Sequence, residues 1–250
     1  IFIIISRVLG YLGDVLIAIY LGSGPIADAF FVAFRIPNTF RRLFAEGSFN
    51  AAFVPSYSSE LVSGKEQAKK FANHVFNFLM LALLFLVAVI EIFMPGFVYL
   101  IAPGFYEDQS KLELTTLLTR ITFPFLLFIS LASFFSAILN SHNKFGVAAA
   151  SPIILNIILI FVIFTQKKSN YDLVILLSYG VSLAGFIQLI FVYFFAKKYF
   201  SPNLNFKFKL SGKIKIFFSK FLPGIFSSGV TQINILVGTI IASFQASAVS

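Results

Sequence analysis

The chain alternates between long apolar runs and short polar connectors. Uncharged, largely apolar residues fill positions 76–90, 123–139 and 153–165. With its apolar flanks, each run is long enough to cross a hydrocarbon core of about 30 Å. The strict alternation typical of a membrane β-barrel is absent, and helices satisfy every backbone group inside lipid. The pattern therefore predicts an all-α, polytopic transmembrane helix bundle.

Turn-forming residues divide the chain into seven predicted spans. A basic segment at 201–216 separates the sixth span from the seventh. Its alternating Lys, Phe and Ile suit a segment lying on an anionic leaflet, with a solvated linker as the alternative. The chain begins and ends inside apolar runs, so we expect it to be truncated at both ends. The spans are 1–21, 29–61, 71–101, 114–140, 147–166, 172–196 and 217–247.

Composition and charge support this class. Hydrophobic residues make up 58% of the 250 residues and charged residues only 12%, against about 25% charged in a soluble domain. The net charge of +9 does not indicate nucleic-acid binding, because the Lys residues gather beside apolar spans. Eleven follow spans 2, 4 and 6, and three follow spans 1, 3 and 5. The positive-inside rule therefore places the N-terminus in the cytoplasm.

Seven ionisable residues in the first two spans are the candidate functional groups. Each costs at least about 2.5 kcal/mol at mid-bilayer, so each should face protein or water. On span 1, Arg7, Gly10 and Asp14 share one helical face, and Gly10 allows a neighbour or ligand to approach closely. The seven are Arg7, Asp14, Asp28, Arg35, Arg41, Arg42 and Glu46.

Span 2 contains Pro37, which should kink or break the helix because proline lacks a backbone donor. Asn38, Arg41 and Arg42 follow within about one turn. Broken helices at membrane depth are typical of transporter binding sites.

The arginines of the first two spans could instead pair with acids, for example Arg42 with Glu46. However, four arginines face three acids, and arginine binds phosphate bidentately, so the surplus favours an anionic lipid head group.

Several sequence blocks carry a family resemblance that extends over the whole chain. The chain closely resembles the bacterial MurJ (MviN) lipid II flippases of the MOP exporter superfamily. The blocks are Ser6-Arg7-Val8-Leu9-Gly10, Ala27 to Asn38 (ADAFFVAFRIPN), Arg41 to Phe49 (RRLFAEGSF), Ala52-Phe53-Val54-Pro55, Ala102-Pro103-Gly104-Phe105, Ile121-Thr122-Phe123-Pro124, Leu131-Ala132-Ser133, Ala137-Ile138-Leu139-Asn140 and Ile240 to Phe244 (IIASF).

The resemblance implies a transporter of 14 spans in two six-helix lobes plus two further helices. This chain would hold the N-terminal lobe (spans 1–6, residues 1–200), the linker at 201–216, and a seventh helix within 217–250. The substrate implied is lipid II, the undecaprenyl-pyrophosphate-linked peptidoglycan precursor, moved from the cytoplasmic to the outer leaflet of the bacterial inner membrane by alternating access. The missing C-terminal half and membrane lipids would be its partners.

By position, the resemblance makes Arg7 and Arg41 cavity arginines that meet the pyrophosphate. Asp28 and Glu46 match functionally sensitive acids. The family often has a further arginine where this chain has Gly13. Arg42 or Arg35 would then compensate, or the site would be weaker.

Two other function classes remain as alternatives. One is a related flippase for another polyprenyl-linked oligosaccharide, or a multidrug exporter, of the same superfamily. The other is a membrane-embedded polyprenyl-phosphate transferase, which usually needs paired carboxylates for Mg²⁺ on a cytoplasmic loop, whereas Glu107 and Asp108 are predicted outside. We expect a transporter rather than an enzyme, with no cofactor or metal. Because a Walker-type loop is absent, a membrane potential or ion gradient should drive transport.

Overall fold

The computed structural model describes residues 1–41, 48–165 and 169–204, together with residues 212, 216–217, 219, 221, 223–224, 232, 234 and 236–244. Every regular element in this part of the chain is helical, so the predicted all-α bundle is confirmed. The α-helices are α1 (Phe2–Leu21), α2 (Pro25–Arg41), α3 (Ser48–Ser63), α4 (Lys65–Ile92), α5 (Met94–Ile101), α6 (Gln109–Thr122), α7 (Phe125–Ser141), α8 (Phe145–Thr165) and α9 (Asn170–Ala196), with a short 3₁₀ helix at Pro103–Glu107 between α5 and α6.

Five of the described segments are long and apolar enough to cross a membrane. They are Phe2–Leu21, Lys65–Ile92, Gln109–Ser141, Phe145–Thr165 and Asn170–Ala196. The predicted second span is not among them, because α2 and α3 are 17 and 16 residues long. About half of the predicted seventh span lies outside the described residues. The protein is thus an integral membrane protein with several membrane-crossing helices.

Contacts between connectors distinguish the two ends of the bundle. At one end, Tyr57 Oη lies 3.4 Å from His142 Nε2, and the His142 ring stacks on Tyr199 with centroids 4.1 Å apart. At the other end, Asn170 Nδ2 donates to the Leu21 carbonyl at 3.4 Å. Alternate connectors therefore lie at opposite ends, as helices crossing a bilayer require. We call the first the basic end, since Lys65, Lys144 and Lys197 lie there, and the second the acidic end, after Glu107, Asp108 and Asp172.

Two buried clusters hold the helices together. One contains aromatic rings of α3 and α7, where Phe53 stacks on Phe49 with centroids 5.2 Å apart and packs against Phe134 at 5.1 Å. The other joins α1 and α2 to α8 and α9 through small and branched residues such as Ala29 and Val174. These clusters fix α1 and α2, which carry the described candidate residues, and α8, which packs against α1.

Candidate functional site

Arg7 lies on an exposed face of α1. Its guanidinium makes no hydrogen bond or ion pair with any described residue. The adjacent turn of α1 is held against α8, because Asn156 Nδ2 donates to the Ser6 carbonyl at 3.0 Å. Arg7 therefore lies on a turn of α1 that α8 holds, and its guanidinium has no partner among the described residues.

Gly10 lies at the contact between α1 and α8, but the contact leaves room for a methyl group. A Cβ added at Gly10 would lie 3.5 Å from Asn156 Nδ2, which is ordinary van der Waals contact. Asp14 lies one turn further along α1 and is exposed. The predicted face of Arg7, Gly10 and Asp14 thus serves two purposes, since Gly10 contacts α8 while the two charged residues remain accessible.

The sequence predicted that Pro37 would kink or break the helix. The helix does not break there. α2 continues through Pro37 to Arg41, and Pro37 is buried. Proline leaves the carbonyl of the residue four positions earlier without its helical donor. That carbonyl belongs to Ala33, and the Thr122 hydroxyl of α6 donates to it at 2.9 Å. A neighbouring helix therefore satisfies the freed group, so Pro37 itself does not require a water-filled cavity.

Asn38 hydrogen-bonds its own helix, with Nδ2 donating to the Phe34 carbonyl at 3.2 Å. The side chain of Arg41, and Arg42 and Glu46 entirely, lie outside the described residues. The predicted grouping of arginines after Pro37 therefore stays a prediction.

Asp28 forms an ion pair with Lys111, which the sequence analysis counted among the lysines of the connectors. Lys111 Nζ lies 2.7 Å from Asp28 Oδ2, and the Lys111 side chain is only 4% exposed, against 38% for Asp28. The ammonium also lies 4.2 Å from the centroid of the Phe105 ring. Among the described side chains, the ion-pair partner of Asp28 is therefore Lys111 and not Arg35.

The first turn of α6 positions Lys111. The Asp108 side chain accepts a 3.1 Å bond from the Lys111 backbone N–H and a 2.7 Å bond from the Ser110 hydroxyl. These bonds, the Ser110 bond first, hold the pKa of Asp108 below its usual range. Asp108 therefore stays ionised as the N-cap of the helix that carries Lys111.

Arg35 lies apart from Arg7, on the face of α2 that meets residues 236–244. Its Nη1 donates to Thr239 Oγ1 at 3.2 Å. Gly104 N–H donates to Ser243 Oγ at 3.1 Å beside it. Together these groups surround a cavity of about 200 Å³ lined by Asp28, Phe31, Val32, Arg35, Phe105, Thr239, Ala242 and Ser243.

The candidate residues therefore form two regions rather than one. Arg7, Gly10 and Asp14 lie where α1 meets α8, and Asp28 and Arg35 surround the cavity between α2 and residues 236–244. Sequence reasoning missed Lys111, Thr122 and Thr239, each of which partners a candidate residue or its backbone. Only the family match at residues 121–124 pointed toward Thr122, and it gave no role.

The chain is similar to known proteins of one family. The model of the family described as lipid II flippase MurJ matches residues 17–250. A probable lipid II flippase MurJ of Rhizobium meliloti is 42% identical over 251 residues, covering 98% of this chain and 47% of the relative. One from Rickettsia prowazekii is 38% identical over 250 residues, covering 98% of this chain and 48% of the relative.

A solved structure is also similar. It is a lipid II flippase MurJ in an inward closed conformation, with a TM-score of 0.77, 33% identity and coverage of 96% of this chain and 49% of that one. The chain thus spans about half the length of the curated relatives it matches.

Proposed function

The chain belongs to the lipid II flippase MurJ family, and on that premise we propose that it forms half of a transporter for the lipid-linked peptidoglycan precursor. The precursor consists of a polyprenyl tail, a pyrophosphate and a glycopeptide head group. The proposed activity moves this head group from the cytoplasmic to the outer leaflet by alternating access. The other half of the transporter would correspond to the part of the relatives that this chain does not match.

One observation carries the proposal, namely the unpaired guanidinium of Arg7. A permanent cation on an apolar helix is costly in a membrane unless it meets water, protein or an anion. Among the described residues Arg7 has no anionic partner, although Asn156 fixes the backbone beside it. Arginine binds phosphate bidentately, so a pyrophosphate supplies the missing acceptors. We assign Arg7, with Arg41 and Arg42, to pyrophosphate binding.

The second region is proposed to close the acidic end. The Asp28–Lys111 ion pair joins α2 to α6, and the Arg35–Thr239 hydrogen bond joins α2 to residues 236–244. Separating these elements would open a path to that side of the membrane. Asp28 and Arg35 would then act in gating, and Arg35 would contact the head group only after the bond to Thr239 breaks.

We further propose the bacterial inner membrane as the location, with the basic end in the cytoplasm. The lysines of the described connectors at that end support this orientation under the positive-inside rule. The net movement of an anionic substrate would draw on the membrane potential or an ion gradient. No cofactor is part of the proposal.

Complementation of a conditional flippase-depletion strain by the full-length protein tests the function. Arg7→Ala and Arg41→Ala should each fail to support growth while still reaching the membrane. Arg7→Lys should give partial function, since it keeps the charge and loses the bidentate geometry. Lys69→Ala is the matched control, because Lys69 is an exposed cation paired at 3.1 Å with Glu66. Normal growth of both alanine variants would refute the assignment.

A further inference from the structure

A second cavity, of about 210 Å³, opens between α3, α7 and α8 and has α9 as its floor. Pro152 at its mouth is exposed, and Ser136 and Asn140 beside it are partly exposed. At its floor, Ser151 and Gln188 are buried. The lining residues are Asn50, Phe125, Ile129, Ala132, Ser133, Ser136, Asn140, Ala148, Ser151, Pro152, Leu155 and Gln188.

The floor of this cavity presents an amide with unused capacity. Gln188 is 1% exposed, and its Oε1 accepts a 3.2 Å bond from the Ser151 hydroxyl. Gln188 Nε2 is buried and has no hydrogen-bond partner in the part of the chain that the structure describes. Buried polar groups in proteins are nearly always hydrogen-bonded to protein, ordered water or a ligand, so a free buried amide at a cavity floor marks a place for a polar partner.

The chemistry of the lining selects an uncharged ligand. Six of the twelve described lining residues are Ser, Asn or Gln, and none of these twelve is ionisable. Hydroxyl and amide groups both donate and accept hydrogen bonds, which suits sugar hydroxyls and peptide groups. Pockets for whole drug-sized ligands measure about 300–1,000 Å³. This cavity is smaller, so it fits one ring or a short amide segment of a larger molecule.

The cavity lies beside the α1 region. Leu155 lines it, and the next residue of α8, Asn156, bonds the backbone carbonyl of Ser6 next to Arg7. Asn140 at the mouth belongs to the last turn of α7, so the cavity lies in the half of the bundle toward the basic end. The start of α1 lies at that same end, since a Cβ on Gly146 would be 3.7 Å from the Phe2 ring.

We infer that this cavity is a subsite for the neutral sugar or peptide groups of the head group whose pyrophosphate Arg7 binds. The inference rests on the proposed function. Gln188 and Ser151 hydrogen-bond the inserted group at the floor, and Ser136 and Asn140 contact it at the mouth. Arg7 supplies affinity for the anion common to all polyprenyl pyrophosphates, whereas the cavity distinguishes a glycosylated head group from a bare one.

Binding of defined lipids to the full-length protein by native mass spectrometry tests the inference. The probes are lipid II, undecaprenyl pyrophosphate and a polyprenyl-pyrophosphate disaccharide without peptide. Gln188→Leu should weaken lipid II binding about tenfold, as expected for roughly 1.4 kcal/mol, and leave undecaprenyl pyrophosphate unchanged. Arg7→Ala should weaken all three. If Gln188→Leu weakens both lipid II and the disaccharide probe, a sugar occupies the cavity; if it weakens lipid II alone, the peptide does.

Ser136→Ala is the second variant, because Ser136 is at the mouth and its truncation leaves the buried floor intact. It should weaken lipid II in the same selective way. Ser178→Ala is the control, since Ser178 is buried on α9 but bonds the Val174 carbonyl at 2.8 Å outside the cavity. Equal loss of lipid II and undecaprenyl pyrophosphate, or no loss of either, overturns the subsite. Failure of the unmodified protein to bind lipid II overturns the proposed function instead.

Discussion

The Thr122 hydroxyl of α6 donates a 2.9 Å hydrogen bond to the Ala33 carbonyl of α2. This is the carbonyl that Pro37 leaves without a helical donor. The bond therefore allows a proline inside α2 while the helix continues to Arg41.

Thr122→Val should lower stability by about 1 kcal/mol, because the Ala33 carbonyl loses its donor in a buried place. Thermal unfolding of the full-length protein in detergent measures this. In a Pro37→Ala background, the N–H of residue 37 can donate to the Ala33 carbonyl. Thr122→Val should then lower stability much less. Equal costs in both backgrounds would show that the two residues are not coupled.

The Asp28–Lys111 pair should respond asymmetrically to truncation. Asp28→Ala leaves a nearly buried ammonium without its partner and should cost about 2–3 kcal/mol, somewhat below the range for fully buried pairs. Lys111→Met leaves Asp28, which is 38% exposed, free to hydrate, so its cost should be smaller. The same unfolding assay compares them, and adding Lys111→Met to Asp28→Ala should recover stability. A larger loss from Lys111→Met alone would contradict this account.

Gly104 packs directly against the backbone of residues 243–244. A Cβ at this position would lie 2.5 Å from the Ser243 carbonyl carbon and oxygen. Since backbone atoms cannot rotate away, Gly104→Ala should displace the 3₁₀ helix from residues 236–244, and faster limited proteolysis should report the separation. Gly96→Ala is the matched control, because its Cβ meets nothing within 4 Å. Equal proteolysis rates in the two variants would exclude tight packing at Gly104.

His142, at the basic end, should make stability depend on pH. Burial, followed by the positive charges of Lys198 and Lys65, lowers its pKa below 6.5. The unfolded chain then binds the proton more readily than the folded one, so stability is full above pH 6.5 and falls as the pH drops toward the lower folded value. His142→Gln should remove this part of the pH dependence in thermal unfolding between pH 5 and pH 8.

Lys198→Gln tests the electrostatic part of the same effect. Removing the nearby charge should raise the His142 pKa toward its ordinary value and shrink the loss of stability at low pH. An unchanged pH profile in both variants would assign the dependence to other groups.

How well the sequence predicted the structure depends on the range of the interaction. The apolar runs of α8 and α9 placed those helices within a few residues, because lipid imposes a local pattern on every turn. The partners of the candidate residues were not predictable in this way. Asp28 and Lys111 are 83 positions apart, and counting charges assigned Lys111 to a connector. Thr122 likewise looks like an ordinary polar residue until α6 packs on α2.

The α1–α8 contact gives the last prediction, which concerns how Arg7 is positioned. At Gly10, a methyl group would be in ordinary contact with Asn156, at 3.5 Å from Nδ2. Gly10→Ala should therefore retain complementation. Gly10→Phe should lose it, because a ring cannot fit between α1 and α8 without breaking the bond from Asn156 to the Ser6 carbonyl.

Leu12→Phe separates this effect from bulk alone, since Leu12 is an exposed residue of the same helix. It should complement normally, and membrane expression of all three variants must be equal for the comparison to count. Asn156→Leu breaks the hydrogen bond to the Ser6 carbonyl by another route, because it removes the donor and leaves Gly10 unchanged. If α1 is held by this contact, Asn156→Leu and Gly10→Phe should both weaken lipid II binding. Normal binding by both would show that Arg7 does not depend on α8 for its position.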